Sequence, residues 1–106
     1  RVSPVSGIFA VRVHGVRGVP VDAVASIGTR PTVEGREPLL EVHVFDFSGD
    51  LYGRHLAVDF VARLRDEVRF DDLGALRRQM ERDASDARRA LATAEPQVST
   101  TQGRAQ

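Results

Sequence analysis

Apolar residues alternate with other residues in four separate runs, then switch to helical spacing. In Gly7 to Val13, Phe9, Val11 and Val13 share one face, and Ile8, Ala10 and Arg12 the other. That period of two predicts a strand. His14 to Pro20 holds Gly15, Gly18 and Pro20 and reads as a turn. Val21 to Ile27 is a second strand, rich in small residues, and Gly28-Thr29-Arg30-Pro31-Thr32 should break it. Gly28 permits positive φ there, and Pro31 holds Arg30 extended. Glu34 to Pro38 reads as a polar loop.

The segment Leu39 to Leu64 then carries two more alternating runs. Leu40, Val42 and Val44 form a plain core face, while Leu39, Glu41, His43 and Phe45 share the other. A carboxylate and an imidazole among apolar neighbours cost free energy unless they are paired or used. After the Gly-containing connector Asp46 to Gly53, Leu56, Val58, Phe60, Ala62 and Leu64 alternate with Ala57, Asp59 and Arg63. Two such runs around a short connector predict a β-hairpin.

Beyond Leu64 the period changes. Leu73, Leu76, Met80, Ala84, Ala87 and Leu91 recur at steps of three and four, which predicts an amphipathic helix with Asp71 or Asp72 as its N-cap. Its other face carries Arg77, Arg78, Glu81, Arg82, Asp86 and Arg89. Pro96 ends any helix, so residues 1–94 are the expected domain and 95–106 a disordered tail. Four strands with short links favour antiparallel pairing but make a poor closed barrel. Strands missing before Gly7 would leave the Gly7 to Val13 edge open, and self-association through that edge is expected.

Composition narrows the function. The chain has 106 residues, enough for one domain, with 15 basic residues, all arginine, against 15 acidic ones. A net charge of zero gives no general attraction to nucleic acid or anionic membrane, and acids interrupt the arginines of the helix. There is no cysteine for a disulfide, a thiolate nucleophile or a thiolate metal site, and no apolar run of membrane-spanning length. The expectation is a cytoplasmic protein with neither nucleic-acid nor membrane partners. His14, His43 and Asp46 do not supply a metal set with Glu41, and no metal site is expected within the chain.

With these elements placed, the chain resembles the riboflavin kinase domain, the C-terminal module of bacterial bifunctional riboflavin kinase/FAD synthetase. The resemblance runs from about Gly7 to Leu91. It rests on GIFAVRV, then VASIGTRPTV, then LLEVHVFDFSGDLYGRHLAVDFVARLRDEVRF, then a helix with Asp83 and the Ala87-Arg88 step. The joint pattern of E-V-H, D-F, Y-G, L-R-x-E and F in that order is the specific part. The resemblance implies a mainly β fold: an antiparallel Greek-key barrel of six strands, here incomplete, with a C-terminal amphipathic helix. The implied reaction moves the γ-phosphoryl of ATP, with Mg²⁺, to the terminal ribityl hydroxyl of riboflavin, giving FMN and ADP.

The resemblance makes Glu41 the catalytic base. It sets Arg65, Glu67, Phe70, Leu73 and Leu76 beside the flavin, and Tyr52 and Gly53 on the nucleotide side. Without it, Glu41 reads as a paired or solvated strand residue, Phe70 as a core anchor and Tyr52 as packing on the barrel rim. The family's first strand and its G-F-P-T-A-N stretch, which holds Mg²⁺ and the ATP phosphates, have no counterpart in these residues. The chain alone is therefore expected to be inactive. The alternative is a non-catalytic β-barrel module that binds flavin or a protein partner.

Overall fold

The computed structural model describes residues 6–51, 53–94 and, for the backbone alone, 101–104. Its strands are β1 (Gly7–His14), β2 (Val21–Thr32), β3 (Gly35–Val44), β4 (His55–Arg65) and β5 (Thr101–Arg104), and helix α1 (Leu73–Thr93) stands between β4 and β5. One antiparallel sheet runs in the order β3-β2-β1-β4-β5.

The predicted β3–β4 hairpin does not form. β3 pairs with β2, and β4 crosses to the far edge of β1. Three consecutive strands with a fourth returned beside the first make a Greek key. The cause is the unpaired edge of β1, which a hairpin on β3 would leave open. Residues 45–54 supply the crossing. It starts where the Phe45 N–H donates to the Asp22 carbonyl (3.1 Å), and Phe47 and Leu51 pack on the core along the way.

The same topology corrects the edge through which self-association is expected. β1 has neighbours on both sides, so Gly7 to Val13 offers no free edge. The outer strands are β3 and β5. The tail expected to be disordered also contributes: Thr101–Arg104 pairs with Val58 to His55 and covers the edge of β4. The rest of that tail lies outside the described residues.

β2 and β3 are both longer than the alternation predicts. Their register continues from Gly28↔Leu39 to Thr32↔Gly35, past the last β1 partner pair, Gly7↔Ile27. The expected break and polar loop are therefore a two-stranded ribbon. Pro31 and Pro38 fit because each ribbon strand has an unpaired side, where a missing N–H costs nothing. Arg30 Nε donates to Glu37 (2.5 Å) and Arg36 Nε to the Thr29 hydroxyl (2.8 Å) across the pair.

β4 breaks its own alternation. Its register to β1 slips between Phe60 and Ala62 and again between Arg63 and Arg65. Each slip is a bulge with an extra residue on β4, which turns the next side chains toward the opposite face. Leu56, Val58 and Phe60 keep to one face with Phe9, Val11 and Val13, and Phe9 meets Phe60 edge-on at 5.3 Å. Ala62 and Leu64, expected on that same face, instead join Val61 under α1.

The two faces thus hold two cores. Among the described residues no helix covers the first, and Val16, Phe47 and Leu51 pack on it from outside the strands. The second joins Ala10 and Phe45 to Ala87 and Leu91 of α1. Asp72 is the N-cap, accepting from the Gly74 N–H at 3.1 Å. At the other end Arg12 donates to the Leu91 carbonyl (2.8 Å), one of the last carbonyls, which have no partner inside the helix. Asp72→Ala should lower stability by about 1 kcal/mol, read as an earlier urea midpoint at unchanged slope. Among the described residues no helix is long and apolar enough to cross a membrane.

Candidate functional site

The apolar stripe of α1 is used in two ways. Its C-terminal half packs on the sheet, where Asp83, Ala87 and Leu91 are buried. Its N-terminal half stands off: Leu73 is 80% exposed, Met80 49% and Leu76 36%. Between this half and the sheet lies a cleft of about 480 Å³. Leu73, Leu76, Met80 and Ala84 line the helix side, and Val24, His43 and Phe45 the sheet side. Arg77, Glu81 and Asp83 supply the few polar groups. Concave, mostly apolar walls with sparse polar atoms are what a planar organic ligand needs.

Phe45 anchors the sheet side. It is buried, the Arg88 guanidinium lies 4.2 Å above its ring, and His43 meets it edge-on at 6.3 Å. Asp46 comes next in the chain at φ +54° and takes an ion pair from Arg88 at 3.5 Å, which holds the turn out of β3 against the helix.

Asp83 closes the inner end and is 5% exposed. Arg65 grips it with both forks, Nε to Oδ1 and Nη2 to Oδ2 at 2.7 Å each, and the Gln79 amide adds 2.9 Å. Burial pushes the Asp83 carboxyl up, but the hydrogen bonds from Arg65 and Gln79 and the charges of Arg65 and Arg82 outweigh it and hold the carboxyl below its ordinary value. The hydrogen bond to Asp83 raises Arg65 in turn, against its own desolvation. The β4 bulges make this pairing possible by setting Arg65 opposite Ile8 on the helix face.

One row of strand partners crosses that face: Arg65, Ile8, Ser26, Glu41. Glu41 therefore lies two residues along β3 from His43, just past the sheet side of the cleft. It is exposed and pairs with no other described residue. One step further, at Gly28, the Glu67 carboxylate lies against β2. An apolar cleft thus runs out onto two carboxylates.

Known proteins share this architecture. The family model for riboflavin kinase (flavokinase) matches residues 1–91. The chain belongs to the riboflavin kinase family. Among its relatives, the bifunctional riboflavin kinase/FMN adenylyltransferase of Escherichia coli K12 is 46% identical over 91% of this chain and 31% of its own length. The protein of the same description from Haemophilus influenzae is 40% identical over 83% of this chain and 29% of its own length. The chain thus spans less than a third of these relatives. A solved structure described as a macrolide-efflux protein from Streptococcus pneumoniae superposes with a TM-score of 0.74 at 34% identity, over 82% of this chain and 28% of that one. The mainly β architecture with a C-terminal helix is thus that of the riboflavin kinase family.

The expected site residues divide. Leu73 and Leu76 line the cleft, Glu41 lies past its sheet side, Glu67 is beyond Glu41, and Arg65 acts through Asp83. Phe70 is half-buried and outside the cleft lining. Gly53, at φ +83°, belongs to the turn before β4. That turn lies beyond the His14 end of β1, while Glu41 shares the Ile8 row, roughly 20 Å away along the strands at about 3.4 Å per residue. Tyr52 lies outside the described residues. Val24, His43, Phe45, Arg77, Met80, Glu81, Asp83 and Ala84 complete the cleft lining, and sequence reasoning did not name them as site residues. Asp83 carried a signal: it falls on the apolar stripe between Met80 and Ala87. Among the described residues no group of three His, Asp or Glu converges on a metal position. These side chains do not form a cage for Mg²⁺.

Proposed function

We propose that this domain is the kinase module that phosphorylates riboflavin to FMN within a bifunctional riboflavin kinase/FAD synthetase. The observation that carries this reading is the apolar cleft that opens onto Glu41. Leu73, Leu76 and Met80 take one face of the isoalloxazine ring, and Val24 and Phe45 the other. The ribityl chain then runs along the β2–β3 face toward Glu41.

Phosphoryl transfer demands positioning and charge stabilisation more than covalent chemistry from the protein. Glu41 accepts a hydrogen bond from the terminal hydroxyl, aims its oxygen at the γ-phosphorus of ATP, and takes the proton as the new P–O bond forms. An exposed carboxylate with no partner among the described residues suits that role, since none of their arginines competes for its oxygens. Mg²⁺ would be carried in by the ATP phosphates, which it prefers to an all-protein cage.

The experiment is ATP-dependent FMN formation by this chain and by the full-length native protein, monitored by chromatography. Turnover by the full-length protein is expected, with the Met80→Arg variant raising the riboflavin KM at least tenfold and leaving the ATP KM unchanged. Riboflavin binding without FMN from any folded form would replace the kinase reading with the non-catalytic flavin-binding module. An unchanged riboflavin KM in Met80→Arg would move the ligand out of the cleft.

A further inference from the structure

We propose that Arg77 and Glu81 select the substrate by reading the imide edge of its ring: the Arg77 guanidinium donates to a ring carbonyl, and the Glu81 carboxylate accepts from the N–H between the two carbonyls. The proposal rests on the kinase reading above.

The sequence places both residues on the outer face of the helix, and the structure corrects this, because both line the cleft. Each is one residue past a member of the apolar stripe, Leu76 and Met80. Their lack of partners sets them apart. The other arginines of α1 are engaged: Arg78 with Asp72 at 4.0 Å, Arg82 with Gln79 at 2.7 Å, Arg88 with Asp46 at 3.5 Å and Arg89 with Asp86 at 3.1 Å. The other acids of α1 are engaged too, Asp83 by Arg65 and Asp86 by Arg89. Arg77 and Glu81 pair with no described residue, not even with each other, although a step of four makes them neighbours on the helix.

Helical geometry fixes the side of the cleft they serve. At 3.6 residues per turn, Arg77, Glu81 and Arg88 fall close to one line along the helix. Arg88 lies over Phe45 and pairs with Asp46, so that line faces the end of β3. Gln79 and Asp83 fall on the opposite flank, toward Arg65 of β4. There both Asp83 oxygens already accept hydrogen bonds. On the helix side of the cleft, a ligand with a polar edge therefore finds its open donor and acceptor at Arg77 and Glu81.

That pair matches one end of an isoalloxazine. The ring system carries two methyl groups at one end and, at the other, a carbonyl, an N–H and a second carbonyl in a row. A guanidinium only donates and a carboxylate only accepts. One of each, side by side, meets a carbonyl beside an N–H, whereas two cations or two acids would meet only half of that edge.

The test is KM and kcat of the full-length protein for riboflavin and for N3-methylriboflavin, which keeps both carbonyls and lacks the N–H. In the wild type the methylated flavin should show a KM about tenfold higher, the order for one lost hydrogen bond to a charged group, with kcat within about twofold. Glu81→Ala should raise the riboflavin KM to that of the methylated flavin without raising the latter, so the discrimination disappears. Arg77→Met should raise both KM values alike, about tenfold, because both flavins keep their carbonyls. Both side chains are exposed, so both variants should fold. Equal KM values in the wild type, an equal rise for both flavins in Glu81→Ala, or a wild-type riboflavin KM in Arg77→Met would each overturn the proposal and leave the kinase reading intact. A folded wild-type protein that phosphorylates neither flavin overturns the kinase reading and this proposal with it.

Discussion

Glu41→Gln in the full-length protein is expected to lower kcat for FMN formation by about 10² to 10⁴-fold, the range for removing a positioned acid–base group. The amide keeps the size of the side chain and a carbonyl acceptor, but it cannot take the proton of the ribityl hydroxyl. Riboflavin affinity should fall far less, because the ring contacts proposed above, Leu73, Leu76, Met80 and Phe45, line the cleft and are untouched by the change. Stability should hardly change: Glu41 is exposed and pairs with no other described residue, so no packing or ion pair is lost. The effect belongs to kcat, and comparing kcat with the riboflavin Kd separates it from a binding defect. Near-normal turnover in Glu41→Gln would remove this carboxylate from the reaction and leave it a solvated strand residue.

The strand face that Glu41 occupies was legible because a strand pattern needs only local information. Alternation puts it beside His43 and Phe45 on one face, and the structure keeps them there. The helix was legible for the same reason, with Asp71 or Asp72 as its cap, and the structure uses Asp72. Partner choice was not. Nothing within Leu39 to Leu64 distinguishes a hairpin from two strands that go to opposite ends of a Greek key, because the deciding fact is the open edge of β1, far away in sequence. The β4 bulges were hidden too. Val61 and Leu64 look like ordinary members of an alternating run, and only the register to β1 shows them as extra residues.

The helix stripe misled in a more useful way. Leu73, Leu76 and Met80 have the spacing of core residues, and periodicity cannot separate a face packed on a sheet from one held off it. The separation comes from Asp83 and Phe45, which set the height of the helix above β2 and β3. The ribbon past Ile27 was missed because Pro31 and Pro38 argue against strand in general, though not where each strand keeps an unpaired side.

The second large effect lies at Asp83. Asp83→Ala should cost about 3 kcal/mol near neutral pH, because it strands the Arg65 guanidinium with no carboxylate and frees the Gln79 amide. Replacing both partners by apolar residues, Arg65→Met with Asp83→Leu, should recover much of the loss, since no unpaired charge then remains. Acid gives the sharper test. The Asp83 carboxyl is held below its ordinary value in the folded chain, against about 3.9 when unfolded. As pH falls through that interval the unfolded chain takes up the proton first, so folding loses the stabilisation of the ion pair. Arg65, raised in the folded state, stays charged throughout and adds no slope there. The wild-type advantage over Asp83→Ala in urea should thus be constant from pH 8 to about 5, then shrink below about pH 4. A difference that stays the same down to pH 3 would mean the pair is not what joins β4 to the helix. If the pair does hold, its loss should also loosen the inner end of the cleft and raise the riboflavin KM, which ties the acid sensitivity of the fold to the residues that shape the ligand site.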